Sequence, residues 1–166
     1  MEHEKIERTH LSTAGAYIAD FIYGATDGLI TTFAIISASA GAGISAGVII
    51  VLGLANLIAD GFSMATSNYL GIKSRRNFEL DQKRIEETEI EHHPDEEKRE
   101  IREIYEKKGF HGADLEKAVE IISTNKRVWV NEMLIGELSI IPEEDIKTTP
   151  LKHATTTFFA FAIIGF

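Results

Sequence analysis

The 166-residue chain has no cysteine. Disulfides and thiolate metal sites are therefore excluded, and any metal must be held by carboxylate, imidazole, thioether or backbone oxygen. A basic face is missing too. The formal net charge is -9, which argues against phosphate contact and so against a nucleic-acid partner. No nucleophile elbow, phosphate loop or zinc-protease motif organises the Ser, His and Asp residues, so the chain does not read as an enzyme. Strand-like alternation and internal repeats are absent. So is the charged n-region, short h-region and A-x-A pattern of a secretory signal.

The most informative shortage is local. Between residues 17 and 70 there is no Lys or Arg, and the charged side chains are Asp20, Asp27 and Asp60. Whole-chain averages hide this, because mean hydropathy is -0.04 and residues 72–150 hold most of the Glu, Lys and Arg. Two apolar segments, YIADFIYGATDGLITTFAIISASA from Tyr17 and SAGVIIVLGLANLIADGFSMATSNYL from Ser45, each exceed the roughly 20 residues needed to cross a bilayer. The Gly-rich connector between them is short, which predicts an antiparallel membrane hairpin. Small residues (Gly24, Ala25, Gly28, Ala55, Ala59 and Gly61) would let helix backbones approach closely. The competing reading is a pair of buried helices in a large soluble core. Such helices are usually shorter and seldom both free of Lys and Arg.

Asp20 and Asp27 interrupt the first segment seven residues apart, hence on one helix face about two turns from each other. A carboxylate at the centre of a membrane helix costs on the order of 2.5–3.5 kcal/mol and usually marks an ion or proton path. Lys73, Arg75 and Arg76 follow the second segment and favour a cytoplasmic side there. A hairpin returns to its starting side, so the amino-terminal segment 1–16 is expected to be cytoplasmic as well. The organisation predicted is all-α: that segment, a two-span hairpin at 17–72, a cytoplasmic helical insert at 73–149 and the start of a third span at 150–166.

Within the insert, helices are expected over 74–92 capped at Ser74, from Pro94 to a stop at Gly109, from near Ala113, and over about 127–138. Glu86 and Glu89 are three apart, as are Glu97 and Glu100. Each pair can present two carboxylates to one cation, and two such helices supply the hard oxygen ligands that Mg, Ca, Mn or ferrous iron prefer. Spacing alone leaves open the plainer reading, a solvated acidic face with ordinary i,i+4 ion pairs.

These residues carry a resemblance. DFIYGATDGLITTFA in the first span, Met64 and YLGIKS at the end of the second, PDEEKREIREIYEKKGF and NKRVWVNEMLIGEL in the insert resemble the vacuolar iron transporter family over nearly the whole chain. The resemblance implies a homodimer of five-span subunits with a pore between them. It also implies export of ferrous iron or manganese from the cytosol in exchange for protons. By that resemblance Asp27 is the principal translocation ligand, joined on the path by Asp20 and by Met64, whose soft thioether suits a transition metal. Glu86, Glu89, Glu97, Glu100, Met133 and Glu137 match the positions that hold metal in the family's cytoplasmic domain. Metal is then the substrate, and no prosthetic group is expected.

Two positions depart from the family pattern. Asn56 stands where a glutamate can occur, with Asp60 one turn before Met64 as a nearby carboxylate, and Leu134 stands where a second methionine can occur. The apolar run after His153 is too short to cross, so the sequence reads as a partial chain. The functional expectation is a proton-coupled antiporter for Fe2+ or Mn2+ in contact with membrane lipid, in a prokaryotic inner membrane or alternatively a vacuolar one. A membrane-anchored metal buffer or sensor, and an acidic helical adaptor, are the other readings. Only the transporter has a use for the aspartates inside the membrane.

Overall fold

The computed structural model describes residues 15–141 and 149–166. The expected cytoplasmic segment 1–16 falls almost wholly outside them, as does the end of the insert. Among the described residues there are six helices and no strand: α1 (Gly15–Gly41), α2 (Ala46–His92), α3 (Pro94–Lys107), α4 (Gly112–Ser123), α5 (Lys126–Gly136) and α6 (Pro150–Gly165). The chain divides into two units, Met1–Lys73 with Ile146–Phe166, and Ser74–Asp145. That division coincides with the change in composition.

In the first unit, α1 is 27 residues long, about 40 Å at 1.5 Å per residue, enough for the roughly 30 Å hydrocarbon core. It ends in a paired-bond stop: Gly43 N–H donates to Ala40 O (3.1 Å) and Ile44 N–H to Ser39 O (3.0 Å). Gly43 sits at φ +69, the left-handed conformation this stop requires and glycine adopts without strain. Only 11% of the most apolar stretch of α1 and 17% of that of α2 is buried. Phe21, Ile22, Leu29, Ile30, Phe33 and Ile36 are all at least half exposed. A soluble core helix would bury such a stripe, so the exposed apolar shell favours spans over core helices.

One sequence expectation is corrected here. The helix expected to start at a Ser74 cap is the last part of α2, which runs unbroken from Ala46 to His92. No proline occurs in that stretch, and a single glycine such as Gly71 costs only about 1 kcal/mol in a helix interior.

The small residues also serve a different neighbour than the hairpin pattern suggested. A Cβ on Gly24 would lie 2.4 Å from Thr157 O, and one on Gly28 would lie 2.4 Å from Phe161 O. Both obstacles are backbone of α6. Gly61 of α2 likewise faces the rings of Phe158 and Phe161 on α6. Gly28→Ala should therefore force α1 and α6 apart, at a cost of about 1–3 kcal/mol. Gly53→Ala, with nothing within 4 Å of its added Cβ, should be neutral or slightly stabilising. Thermal melting in detergent checks the pair, and equal melting temperatures would show that the contact is not tight.

The second unit has a core of Ile90, Ile101, Ile104, Leu115, Val119, Ile122, Trp129, Val130, Met133 and Leu134. It draws on all three shorter helices of the unit, α3, α4 and α5. α3 opens on Pro94 with Asp95, Glu96 and Glu97 in its first turn, where acids complement the helix dipole. Gly109 at φ +97 closes it, with Phe110 N–H donating to Tyr105 O at 3.1 Å. Asn125 caps α5 by accepting from the N–H groups of Arg127 and Val128. A two-bond Arg102–Glu116 pair, at 2.9 and 2.8 Å, joins α3 to α4.

Candidate metal centres

In the first unit α1, α2 and α6 enclose a cavity of about 510 Å³. Its lining includes Asp20, Tyr23 and Asp27 from α1, Met64 and Asn68 from α2, and Thr157 from α6. Three of the four expected translocation residues thus share one wall. Asp60, the fourth, is half-buried on α2 but lies outside this lining.

The two aspartates differ in their surroundings. Asp20 is engaged at both oxygens: Oδ1 accepts from Asn68 Nδ2 at 2.8 Å, and Oδ2 lies 2.5 Å from His153 Nδ1. For the Asp27 carboxylate there is no hydrogen-bonding or ionic partner among the described residues. Only its backbone carbonyl is used, accepting from Thr31 Oγ1 at 2.8 Å. Thr31 in turn accepts from Asn56 Nδ2 at 3.4 Å, so Asn56 reaches the Asp27 turn through one hydroxyl. Met64 is half-buried.

Sequence reasoning did not identify Asn68, His153 or Thr157. Asn68 had a usable signal, because it lies four residues after Met64 and hence on the same helix face. His153 had none, since its partner Asp20 is 133 positions away.

The second unit holds the glutamates. Glu86 and Glu97 are 3% and 4% exposed, an unusual burial for carboxylates without a cationic partner among the described residues. Each has Oε2 buried with no hydrogen-bond partner. Burial, with the charges of Glu137, Glu89 and Glu100, pushes Glu86 up to about 7. Burial, with the charges of Glu100, Glu86, Glu89 and Glu137, does the same for Glu97, also to about 7. Glu100 is raised as well, by burial first and Glu137 next. The five expected glutamates therefore form one electrostatic group, held against mutual repulsion.

Two aspects are less direct. Met133 is fully buried within the apolar core. Among the described residues no three acidic or histidine groups converge closely enough to hold an ion as they stand, so binding would need side-chain rearrangement. His92 and His93 are exposed, and His92 Nδ1 faces Thr88 O at 2.8 Å.

The VIT family pattern matches residues 18–166. The chain is 36% identical over 160 residues to a vacuolar iron transporter of Toxoplasma gondii, covering 96% of this chain and 53% of that protein. It is 36% identical over 165 residues to one of Plasmodium falciparum, covering 99% and 58%. With vacuolar iron transporter 1 of Arabidopsis thaliana the identity is 29% over 154 residues, covering 93% and 61%. The chain thus spans between half and two thirds of the length of these relatives.

Proposed function

The chain belongs to the VIT family, and from that premise we propose that it moves a divalent transition metal, Fe2+ or Mn2+, across a membrane in exchange for protons. The observation that carries this reading is the cavity in which the carboxylate of Asp27, unpaired among the described residues, and the thioether of Met64 share a lining. Hard oxygen and soft sulfur together suit a first-row transition ion better than Mg or Ca. Asp20 lines the same path, and Asp60 is a further acid one turn from Met64.

The glutamate group gathers metal before translocation, through Glu86, Glu89, Glu97, Glu100 and Glu137, with Met133 as a soft donor once the core admits the ion. Protons and cations compete for such carboxylates. Burial favours the protonated acid and a bound cation favours the ionised one. This competition is the physical basis of exchange, and no prosthetic group is required.

Lys73, Arg75 and Arg76 support a cytosolic glutamate unit. We read the membrane as a prokaryotic inner membrane, with the vacuolar membrane of the relatives' names as the alternative. The assembly proposed is a homodimer bathed in lipid.

The test is anaerobic Fe2+, or Mn2+, uptake into proteoliposomes with an acidic lumen. Uptake that stops when the proton gradient is dissipated is the expected result. Saturable binding without uptake would instead make the protein a membrane-anchored metal buffer.

A further inference from the structure

We propose that Asn68 and His153 are positioning residues that lock Asp20 between α1, α2 and α6, so that Asp20 closes one end of the cavity and does not ligate the cation. The inference rests on the transport reading above for the meaning of the cavity, but on its own hydrogen bonds for the lock.

The hydrogen bonds that join the cluster have consistent donor and acceptor roles. Asn68 Nδ2 carries two hydrogens, and it reaches both Asp20 Oδ1 (2.8 Å) and Thr157 Oγ1 (2.7 Å). The Thr157 hydroxyl donates onward to His153 O at 3.1 Å. His153 Nδ1 faces Asp20 Oδ2. An ionised carboxylate only accepts, so Nδ1 carries the ring proton. The ring of Tyr17 packs on the imidazole with centroids 4.7 Å apart. The Asp20 and His153 side chains are 12% and 13% exposed.

The placement explains what the cluster does. Asp20 is five residues into α1, His153 is three residues into α6, and Asn68 lies five residues before Lys73 at the end of the first unit's share of α2. All three stand at one end of the helix trio. Met64 is one turn farther along α2 and Asp27 two turns farther along α1. A cation approaching Asp20 would meet N–H dipoles already pointing their positive ends at both oxygens. At Asp27 it meets no such donor among the described residues. The cluster therefore works as a closure, and Asp27 as the open acceptor beyond it.

The experiment compares Asp20→Asn with Asp27→Asn for Mn2+ uptake in proteoliposomes, beside Asn68→Ala, His153→Ala and His153→Asn. Asparagine at position 20 keeps an oxygen for Asn68 and an amide that the other His153 tautomer can accept. Asp20→Asn should keep the half-saturating Mn2+ within about twofold, while Asp27→Asn raises it at least a hundredfold. Asn68→Ala and His153→Ala should change the maximal rate severalfold with half-saturation unchanged. His153→Asn, which keeps a donor near the Nδ1 position, should restore that rate.

A half-saturation raised as much in Asp20→Asn as in Asp27→Asn would overturn the proposal by making Asp20 a ligand. Rates unaltered in both alanine variants would overturn it by removing the lock. If the wild-type protein moved no Mn2+, the transport reading would fail separately. The lock would then be judged by melting temperatures of Asp20→Asn, His153→Ala and the double variant. Additive shifts would refute it and non-additive shifts would support it.

Discussion

Replacing Asp27 with alanine or asparagine is expected to abolish transport at physiological metal, lowering occupancy of the membrane site by roughly two to three orders of magnitude. Asp27 is the cavity carboxylate without a hydrogen-bonding or ionic partner among the described residues, so it is open to an incoming cation. Removing one member of a desolvated charge pair costs about 3–5 kcal/mol, because the other charge is then left uncompensated. The loss should appear as raised half-saturation in proteoliposomes, partly overcome by excess Mn2+. Met64→Leu keeps the volume but removes sulfur, and should shift selectivity towards Mg and Ca more than it lowers the rate. An Asp27→Ala protein with normal uptake would refute the mechanism.

The second large effect is expected from Glu86→Gln with Glu97→Gln, and it has opposite signs for two measurements. Metal binding should fall sharply. Stability of the metal-free protein at pH 8 should rise. Both carboxylates have folded-state values raised from 4.5 to about 7, so between those limits the folded state holds more protons than the unfolded one. Stability is then greatest below about 4.5 and is lost as pH climbs through 7. Ionisation of this pair therefore destabilises the metal-free unit.

The glutamine pair removes that penalty, so its melting should lose most of the wild-type fall between pH 5 and pH 8. Metal should rescue the wild type at pH 8 and leave the variant unchanged. The single tryptophan of the chain, Trp129 at 4% exposure, reports on this unit alone. Wild-type melting that did not vary over this pH range would refute the account. Calorimetry with Fe2+ in buffers of different ionisation heat should also reveal proton release on binding.

Much of this was readable from the chain because it depends on local spacing. The Asp20–Asp27 interval fixes a shared face whatever surrounds the helix, and the absence of Lys and Arg across two long segments identifies the spans. Gly109 and Pro94 are governed by their own neighbours, so their roles as helix stop and start followed directly.

The rest depends on distant partners. Nothing near Glu86 or Glu97 in sequence distinguishes them from Glu89 or Glu87, yet packing buries the first two and leaves Glu89 exposed. Gly24 and Gly28 announce a close approach without naming its partner, which is α6 and not the adjacent span. Ser74 carried a false signal. A good capping residue has no effect where the preceding segment already continues as helix, and α2 does so without interruption.

The contact of Gly24 and Gly28 with α6 also sets an order of events during synthesis. Asp20 and the glycine face enter the membrane early, but their partners His153, Thr157 and Phe161 emerge 85 to 93 residues after Asn68. At about 5–20 residues per second, roughly 4–19 s separate them. For that interval α1 lacks the helix it packs against, and Asp20 is missing one of its two partners. The intervening stretch is a contiguous unit with its own core, free to fold meanwhile. The nascent hairpin is therefore the stage most exposed to mispairing, and slow elongation between residues 74 and 153 would lengthen its exposure.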